Sequence, residues 1–282
     1  MEGEAAIETG WLMSLVLVPG ILGWMWVLWH GHQVKDWVRN GGNWLQWRPL
    51  PLGLMPAIFL AIGLGLMAQI ALISMMDAFV GAAMPLVGMH VISIMTFHVP
   101  AAVMAMAWFQ RSRIPLTQGL GLETRRGLPE LGSGVAGYVL SFPLIVVAGA
   151  LTMLFFNALG WEMSLQSTVT DLQQLQHPVE WILVFLLVVL VGPFCEEVVF
   201  RGVLFPWLSH RIGLMGGLLL HSLIFALIHG HAASTFPLFV LSIVLGLLFM
   251  VRRNLMAAFW MHAVFNAVSL VNVLLMTRGE SI

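Results

Sequence analysis

Charged side chains are scarce in this chain of 282 residues, of which 9% are Asp, Glu, Lys or Arg and 60% are hydrophobic. Soluble globular domains carry roughly 25% charged residues. A chain of this length has no soluble core large enough to bury so much apolar surface. The composition therefore excludes a soluble domain and predicts an all-α, polytopic membrane protein, because helices satisfy their own backbone hydrogen bonds in lipid.

Cysteine and clustered positive charge are almost absent as well. The single cysteine, Cys195, excludes an internal disulfide and any Cys-x-x-Cys metal or redox motif. The net charge is −1, and there is neither a basic tail nor a Gly-rich phosphate loop, so we expect no nucleic-acid partner. A basic signal-peptide start is also missing, because Glu2, Glu4 and Glu8 precede the first apolar run. That run is expected to remain as a transmembrane helix.

Long apolar runs are abundant, and a membrane span needs about 20 mostly apolar residues. Eight runs meet this requirement: residues 9–30, 51–76, 81–108, 132–156, 179–203, 213–230, 234–251 and 254–276. The loops between them are too short to fold independently, so residues 1–282 are predicted to form a single transmembrane domain. In a bacterium, the expected location of such a multi-pass protein is the inner (plasma) membrane.

Positive charges alternate between the loops. Those after the first, third, fifth and seventh runs are Lys35, Arg39, Arg48, Arg111, Arg113, Arg125, Arg126, Arg211, Arg252 and Arg253. Basic loops stay on the cytoplasmic side of a membrane. The pattern therefore predicts about eight transmembrane helices with the N-terminus and the C-terminus outside.

Ionisable side chains interrupt several of the apolar runs. A carboxylate at the centre of a membrane helix costs roughly 2.5–3.5 kcal/mol on an insertion scale, so Glu196 and Glu197 in the fifth run are functional candidates. Glu197 and Arg201 are four residues apart on one helical face and can form an ion pair. Glu196 points about 140° away from Arg201 and is left available as a general base, although a purely structural ion-pair cluster is the alternative. His90 and His98, in the third run, are interpreted as packing or partner-bonding residues.

Polar residues also occur four apart in two later runs, Phe225 with His229 and His262 with Asn266. If these helices pack against the helix of Glu196, they bring a carboxylate, two imidazoles and a carboxamide into one cavity. This set supplies a base, a proton shuttle and donors for an oxyanion. These groups are suited to water attack on a peptide bond.

The three motifs resemble, in order and in internal spacing, those of the CAAX protease and bacteriocin-processing family. They read Glu196-Glu197-x-x-x-Arg201, Phe225-x-x-x-His229 and His262-x-x-x-Asn266. Members of that family are glutamic-type intramembrane endopeptidases related to the type II CAAX prenyl endopeptidase. The resemblance covers residues 179–276, the expected catalytic core, and implies hydrolysis of a membrane-anchored or hydrophobic peptide.

The resemblance also implies a role for each motif residue. Glu196 would activate the attacking water with the help of His229. The residues that would form the oxyanion hole are His262 and Asn266. The residues that would support the site are Glu197, Arg201 and Phe225. No cofactor, no metal ion and no acyl-enzyme are implied.

Other interpretations of these residues remain open. Glu196, His229, His231 and His262 are a possible zinc set with an open coordination position. A Cys195 thiolate is a possible nucleophile, although the adjacent carboxylates disfavour it. A membrane immunity or scaffold protein that binds a peptide or membrane partner, and a transporter or proton relay, are the alternatives that are not proteases. Prenylated CAAX tails, leader peptides and C-terminal sorting helices are all compatible substrates.

The predicted boundaries create a difference in depth. If the fifth span ends at residue 203, Glu196 lies near the cytoplasmic end of that span, whereas His229 lies near the outer end of the sixth. We therefore predict that Gly192-Pro193 kinks or tilts the fifth span, or that the sixth helix begins below the membrane surface.

Overall fold

The computed structural model describes residues 2–46, 50, 54–80, 86–122, 127–162, 175 and 177–279. The regular secondary structure of these residues is entirely helical, as the composition predicts. The α-helices are α1 (Glu2–Trp29), α2 (Gly31–Gln46), α3 (Leu54–Val80), α4 (Leu86–Ser93), α5 (Val99–Arg111), α6 (Leu116–Gly119), α7 (Gly127–Ala158), α8 (Pro178–Phe185), α9 (Gly192–Val199), α10 (Phe205–Ile228), α11 (Ala232–Arg252) and α12 (Leu255–Gly279). The π-helical segments are π1 (Ile94–His98), π2 (Leu186–Val191) and π3 (Phe200–Leu204).

Five helical stretches in the described part of the chain are long and apolar enough to cross a membrane. They are Val91–Arg111, Gly127–Ala158, Pro178–Ile228, Ala232–Arg252 and Leu255–Leu275. The pair Ser14–Trp29 and Gly31–Leu45, bent by 87°, makes a sixth if it is one span, and Leu60–Leu72 is a shorter apolar helix. The chain is therefore an integral, multi-pass membrane protein. The count of eight spans and the placement of both termini outside stay predictions.

The stretch Pro178–Ile228 is a helical hairpin. As a straight helix its 51 residues would extend about 77 Å at about 1.5 Å per residue, more than twice the roughly 30 Å of a bilayer core. The chain reverses at Gly213, whose φ of 81° and ψ of 163° are not helical. A Cβ atom on Gly217 would lie 2.6 Å from the Ser209 nitrogen, so the two arms meet closely beside the turn. The helix does not end with the predicted fifth span at residue 203, because the polar residues that follow continue it to this turn.

Residues equally distant from Gly213 face each other across the hairpin. The contacting pairs are Phe205 with His221, whose ring centroids are 4.5 Å apart, and Arg201 with Phe225, whose ring centroid is 4.6 Å from the guanidinium carbon. The same register brings Glu197 level with His229. The expected difference in depth between the glutamates and His229 was therefore wrong, because it depended on the wrong helix boundary.

The predicted break at Gly192-Pro193 takes the form of a π-helical turn. The Gly192 N–H donates to the Leu187 carbonyl, five residues earlier, and Pro193 has no N–H to donate. The chain stays helical there, but one turn is widened. Such turns are rare and often occur at functional sites.

Helix packing brings the polar motifs together. α11 and α12 pack on α7, α10 packs on α11, and α9 contacts both α5 and α12. At one end of this bundle, the fully buried Glu130 accepts two hydrogen bonds of 2.8 and 3.0 Å from Arg252. This ion pair joins the start of α7 to the end of α11.

Candidate active site

Glu197 is fully buried and engaged on two sides. Its Oε1 lies 2.8 Å from Arg201 Nη1, so the predicted ion pair is present. The same oxygen accepts a hydrogen bond of 2.9 Å from His262 Nδ1 on α12. Glu197 therefore ties its own helix to α12.

Arg201 has partners on both arms of the hairpin and on α11. Its Nη2 donates to the Ser242 hydroxyl at 2.9 Å and to the Ser242 carbonyl at 3.4 Å. Its guanidinium stacks over the Phe225 ring as a cation–π contact. A fully buried charge needs such compensation, so these contacts make Arg201 the centre of the supporting network.

Glu196 has different surroundings from its neighbour. Its Oε1 lies 3.3 Å from His98 Nε2, and its Oε2 lies 3.8 Å from His262 Nε2. The side chain is 17% exposed, whereas that of Glu197 is completely buried. Within the described residues, Glu196 Oε2 has no hydrogen-bond partner. The two glutamates thus face different groups, as their helical spacing predicts.

The imidazoles of His98, His229 and His262 share one hydrogen-bonding pattern. In each ring Nδ1 faces an acceptor: the Ser93 carbonyl at 3.4 Å for His98, the Phe225 carbonyl at 2.7 Å for His229 and Glu197 Oε1 at 2.9 Å for His262. Because a carbonyl or carboxylate oxygen only accepts, Nδ1 carries the hydrogen. Nε2 of each ring is therefore the nitrogen available to the site.

His229 lies at the end of α10 and interacts with Glu196 electrostatically. Among the described residues, however, the imidazoles in direct contact with the Glu196 carboxylate are those of His98 and His262. Phe225 is fully buried beside the site, with its ring centroid 4.8 Å from that of His229 and 5.8 Å from that of His262.

Asn266 contacts the backbone of π2 rather than Glu196. Its Nδ2 donates to the Val188 carbonyl at 2.8 Å. The N–H of Gly192 is used by Leu187, and Pro193 offers none, so this carbonyl lacks a partner within its own helix. Asn266 supplies that partner and joins α12 to the turn that precedes the glutamates.

An apolar cavity of about 180 Å³ adjoins Glu196. Glu196 and His98 are the acidic and basic residues in its wall, and Cys195 also lines it. The remaining lining residues are apolar ones from α3, π1, α5, α9, π3 and α10: Ile58, Ile62, Phe97, Ala101, Val199, Phe200, Leu204, Ile224 and Ile228. Glu196, which has one carboxylate oxygen without a partner in the described structure, thus lies in the wall of a space suited to an apolar group.

Residues 178–268 match a family model described as type II CAAX prenyl endopeptidase Rce1-like. This region is Rce1-like. The match begins at the start of α8 and contains the hairpin, α11 and the part of α12 that carries His262 and Asn266. It supports a CAAX-type intramembrane endopeptidase, and hence a peptide hydrolase, in general terms. Neither a curated protein nor a solved structure matches the chain.

The set of residues considered for zinc is not arranged as a metal site. In the described part of the chain, no three His, Cys, Asp or Glu side chains are grouped so that they could hold a metal ion. His231, two residues after His229, has its Nδ1 2.9 Å from the Ser234 hydroxyl.

Two residues at the site were not among the predicted site residues. His98 lies outside the Rce1-like match and contacts Glu196, and Ser242 binds Arg201. The sequence signal for His98 is an ionisable side chain in an apolar run, which is costly unless it has a partner. Ser242 gives no such signal, because a serine inside a membrane helix can satisfy its own hydroxyl by bonding to the preceding turn.

Proposed function

We propose that the chain is a glutamic-type intramembrane endopeptidase in which Glu196 activates water. The observation that carries this proposal is the asymmetry of the Glu196 carboxylate. Oε1 is held by His98, while Oε2 is unpartnered in the described structure and lies 3.8 Å from His262 Nε2, and the residue itself lines an apolar cavity. Among the described residues, Glu197 also has an unpartnered Oε2, but its side chain is completely buried, its Oε1 is bound by Arg201 and His262, and it does not line the cavity.

The proposed reaction is a direct hydrolysis. Oε2 of Glu196 takes a proton from water while the water oxygen bonds to the carbonyl carbon of the peptide, and the electron pair of the C=O bond moves to its oxygen. That oxyanion is stabilised by a hydrogen bond from His262 Nε2 when the ring carries a hydrogen there in addition to the one on Nδ1 that faces Glu197. The proton on Glu196 then passes to the peptide nitrogen as the C–N bond breaks.

His229 and Asn266 have less direct parts in this scheme. His229, with Nδ1 bound to the Phe225 carbonyl, offers Nε2 to the attacking water and assists Glu196. Asn266 is proposed as a second oxyanion donor on the basis of the family resemblance, and its bond to Val188 keeps α12 against the helix of Glu196. In both cases a hydrogen bond to a backbone carbonyl fixes the orientation of the side chain.

The cavity supports a substrate with one large apolar group beside the cleaved bond. An engineered apolar cavity of about 150 Å³ binds a benzene molecule, so the present cavity accommodates a group of similar size. A hydrophobic side chain next to the scissile peptide bond fits this description. The substrate is therefore proposed to be a membrane-anchored or hydrophobic peptide, reached from within the bilayer.

Filling the cavity should change which peptides are cleaved. Ala101 is 2% exposed on α5 and lines the cavity, so Ala101→Leu should lower kcat/KM about tenfold or more for peptides with a large apolar residue at the cleavage site. Peptides with alanine there should lose less. Val103→Leu, at a 52% exposed position on the same helix, is the matched control. An equal effect of both substitutions on all peptides would show that the cavity does not select the substrate.

Hydrolysis should be direct and independent of metal and thiol. The test uses the purified full chain in lipid vesicles with three candidate substrates: a prenylated CAAX peptide, a leader peptide and a peptide with a C-terminal apolar helix. In heavy-oxygen water, the new carboxyl group should gain one labelled oxygen in a single turnover, without a covalent intermediate. Cleavage should continue in the presence of a chelator and in the Cys195→Ser variant.

Each alternative has its own outcome in this assay. Loss of cleavage on chelation, with recovery after zinc is added, would replace the glutamic mechanism by a metal-dependent one. Loss only in Cys195→Ser would indicate a thiol nucleophile. Binding of a peptide without any cleavage, unchanged by Glu196→Gln, would favour a scaffold protein.

A further inference from the structure

His98 lines the same cavity as Glu196, although it lies about a hundred positions earlier in the chain and outside the Rce1-like match. We propose that His98 is a positioning residue for Glu196. It holds Oε1 through Nε2, so that Oε2 is directed to the reacting water. This inference rests on the proposed role of Glu196 as the base.

The contact between the two residues has defined geometry. His98 Nε2 lies 3.3 Å from Glu196 Oε1, and the two side chains are 20% and 17% exposed. His98 Nδ1 faces the Ser93 carbonyl at 3.4 Å and so carries a hydrogen. When Glu196 is a carboxylate, Nε2 therefore also carries a hydrogen and donates it to Oε1, which gives a charge-assisted hydrogen bond.

His98 is the last residue of a π-helical turn. π1 ends at His98, and the Val99 N–H donates to the Ile94 carbonyl, five residues earlier. Pro100 follows, as Pro193 follows the π turn before the glutamates. In one helix the widened turn contains His98, and in the other it precedes Glu196 by one helical turn; such turns are typical of functional sites.

A neighbouring helix holds π1 in place. A Cβ atom on Gly65 of α3 would collide with the Thr96 carbonyl and would lie 3.3 Å from the Phe97 Cα. π1 therefore packs closely against α3, and it also contacts α9. The backbone that carries His98 is therefore held in place by packing against a neighbouring helix.

A merely structural contact would have different consequences from a positioning one. If His98 only filled space, its loss would lower stability and leave the chemical step unchanged in the folded protein. If it orients Glu196, its loss should lower kcat with little change in KM, since a displacement of about 1 Å at a reacting group can cost about 100-fold in rate.

The test compares His98→Ala and His98→Gln in the full chain, with the same peptide substrate and with thermal unfolding measured in parallel. We expect His98→Ala to lower kcat about 100-fold with KM within about threefold of the wild type. His98→Gln should recover about tenfold of that loss, because its amide N–H can donate to the carboxylate. The free energy of one such hydrogen bond corresponds to about a tenfold change in rate. Met95→Ala, at a 52% exposed position on π1, is the control and should change kcat by less than about twofold.

Three results would overturn the inference. These are a wild-type kcat in His98→Ala, a change confined to KM, or an equal loss of kcat in the Ala and Gln variants. If His98→Ala does not fold, His98→Gln alone decides, and wild-type stability with a kcat near zero would contradict a hydrogen-bonding role. Failure of the proposed function looks different, because Glu196→Gln would then retain cleavage whatever the His98 variants do.

Discussion

Replacing Glu196 by Gln should abolish peptide hydrolysis while the chain remains folded. The amide is nearly the same size as the carboxylate but cannot accept the proton of the attacking water. Loss of a general base costs roughly 10²–10⁴-fold in rate, and we expect about 1,000-fold in kcat. The measurement is single-turnover cleavage of the best peptide substrate by protein of verified helicity and unfolding temperature.

Glu197→Gln is the matched control for this substitution, since it makes the same chemical change at the adjacent position. Its amide oxygen can still accept from His262 Nδ1, but the negative charge that compensates Arg201 is lost. We therefore expect a lower unfolding temperature and a smaller loss of kcat than in Glu196→Gln. Retention of hydrolysis by Glu196→Gln, with loss only in Glu197→Gln, would exchange the roles of the two glutamates and contradict the proposed mechanism.

Replacing Arg201 by Met should be among the most destabilising substitutions in the chain. It leaves the fully buried Glu197 without its ion-pair partner and also removes the hydrogen bonds to Ser242. Breaking one member of a buried pair typically costs about 3–5 kcal/mol. The free energy of unfolding, measured by denaturant titration in micelles, should fall by an amount of this order.

A double substitution separates stability from catalysis at this network. Arg201→Met combined with Glu197→Leu removes both charges, and apolar replacement of a whole buried pair is often neutral or stabilising. The double variant should therefore recover much of the stability lost in Arg201→Met. It should not recover activity, because His262 loses the carboxylate that orients its ring.

The control for Arg201→Met is Arg39→Met. Arg39 pairs with Asp36 at 2.8 Å, but the two side chains are 71% and 58% exposed. Exposed pairs contribute little to stability, so unfolding should hardly change. Equal destabilisation by both substitutions would show that the buried network has no special structural importance.

The spacing of residues along one helix was sufficient to predict that the two glutamates have different partners. Residues four apart on a helix share a face, so the Glu197–Arg201 pair could be predicted, and it is present at 2.8 Å. The position of His229 could not be obtained in this way. The polar residues between the fifth and sixth apolar runs resemble a loop, whereas they continue the helix to a turn at Gly213, and this register decides which residues face each other.

The sequence by itself determined the class of protein, the motif-bearing region and the division between Glu196 and Glu197. Apolar composition, the cost of charge in a membrane helix and four-residue spacing are local properties that hold in any fold. Only the tertiary structure decided that His98 contacts Glu196 and that Ser242 accepts a hydrogen bond from Arg201. The same is true of the hydrogen bond from Asn266 to the Val188 carbonyl. These contacts join residues far apart in the chain, and their distances depend on how the helices pack and where the hairpin reverses.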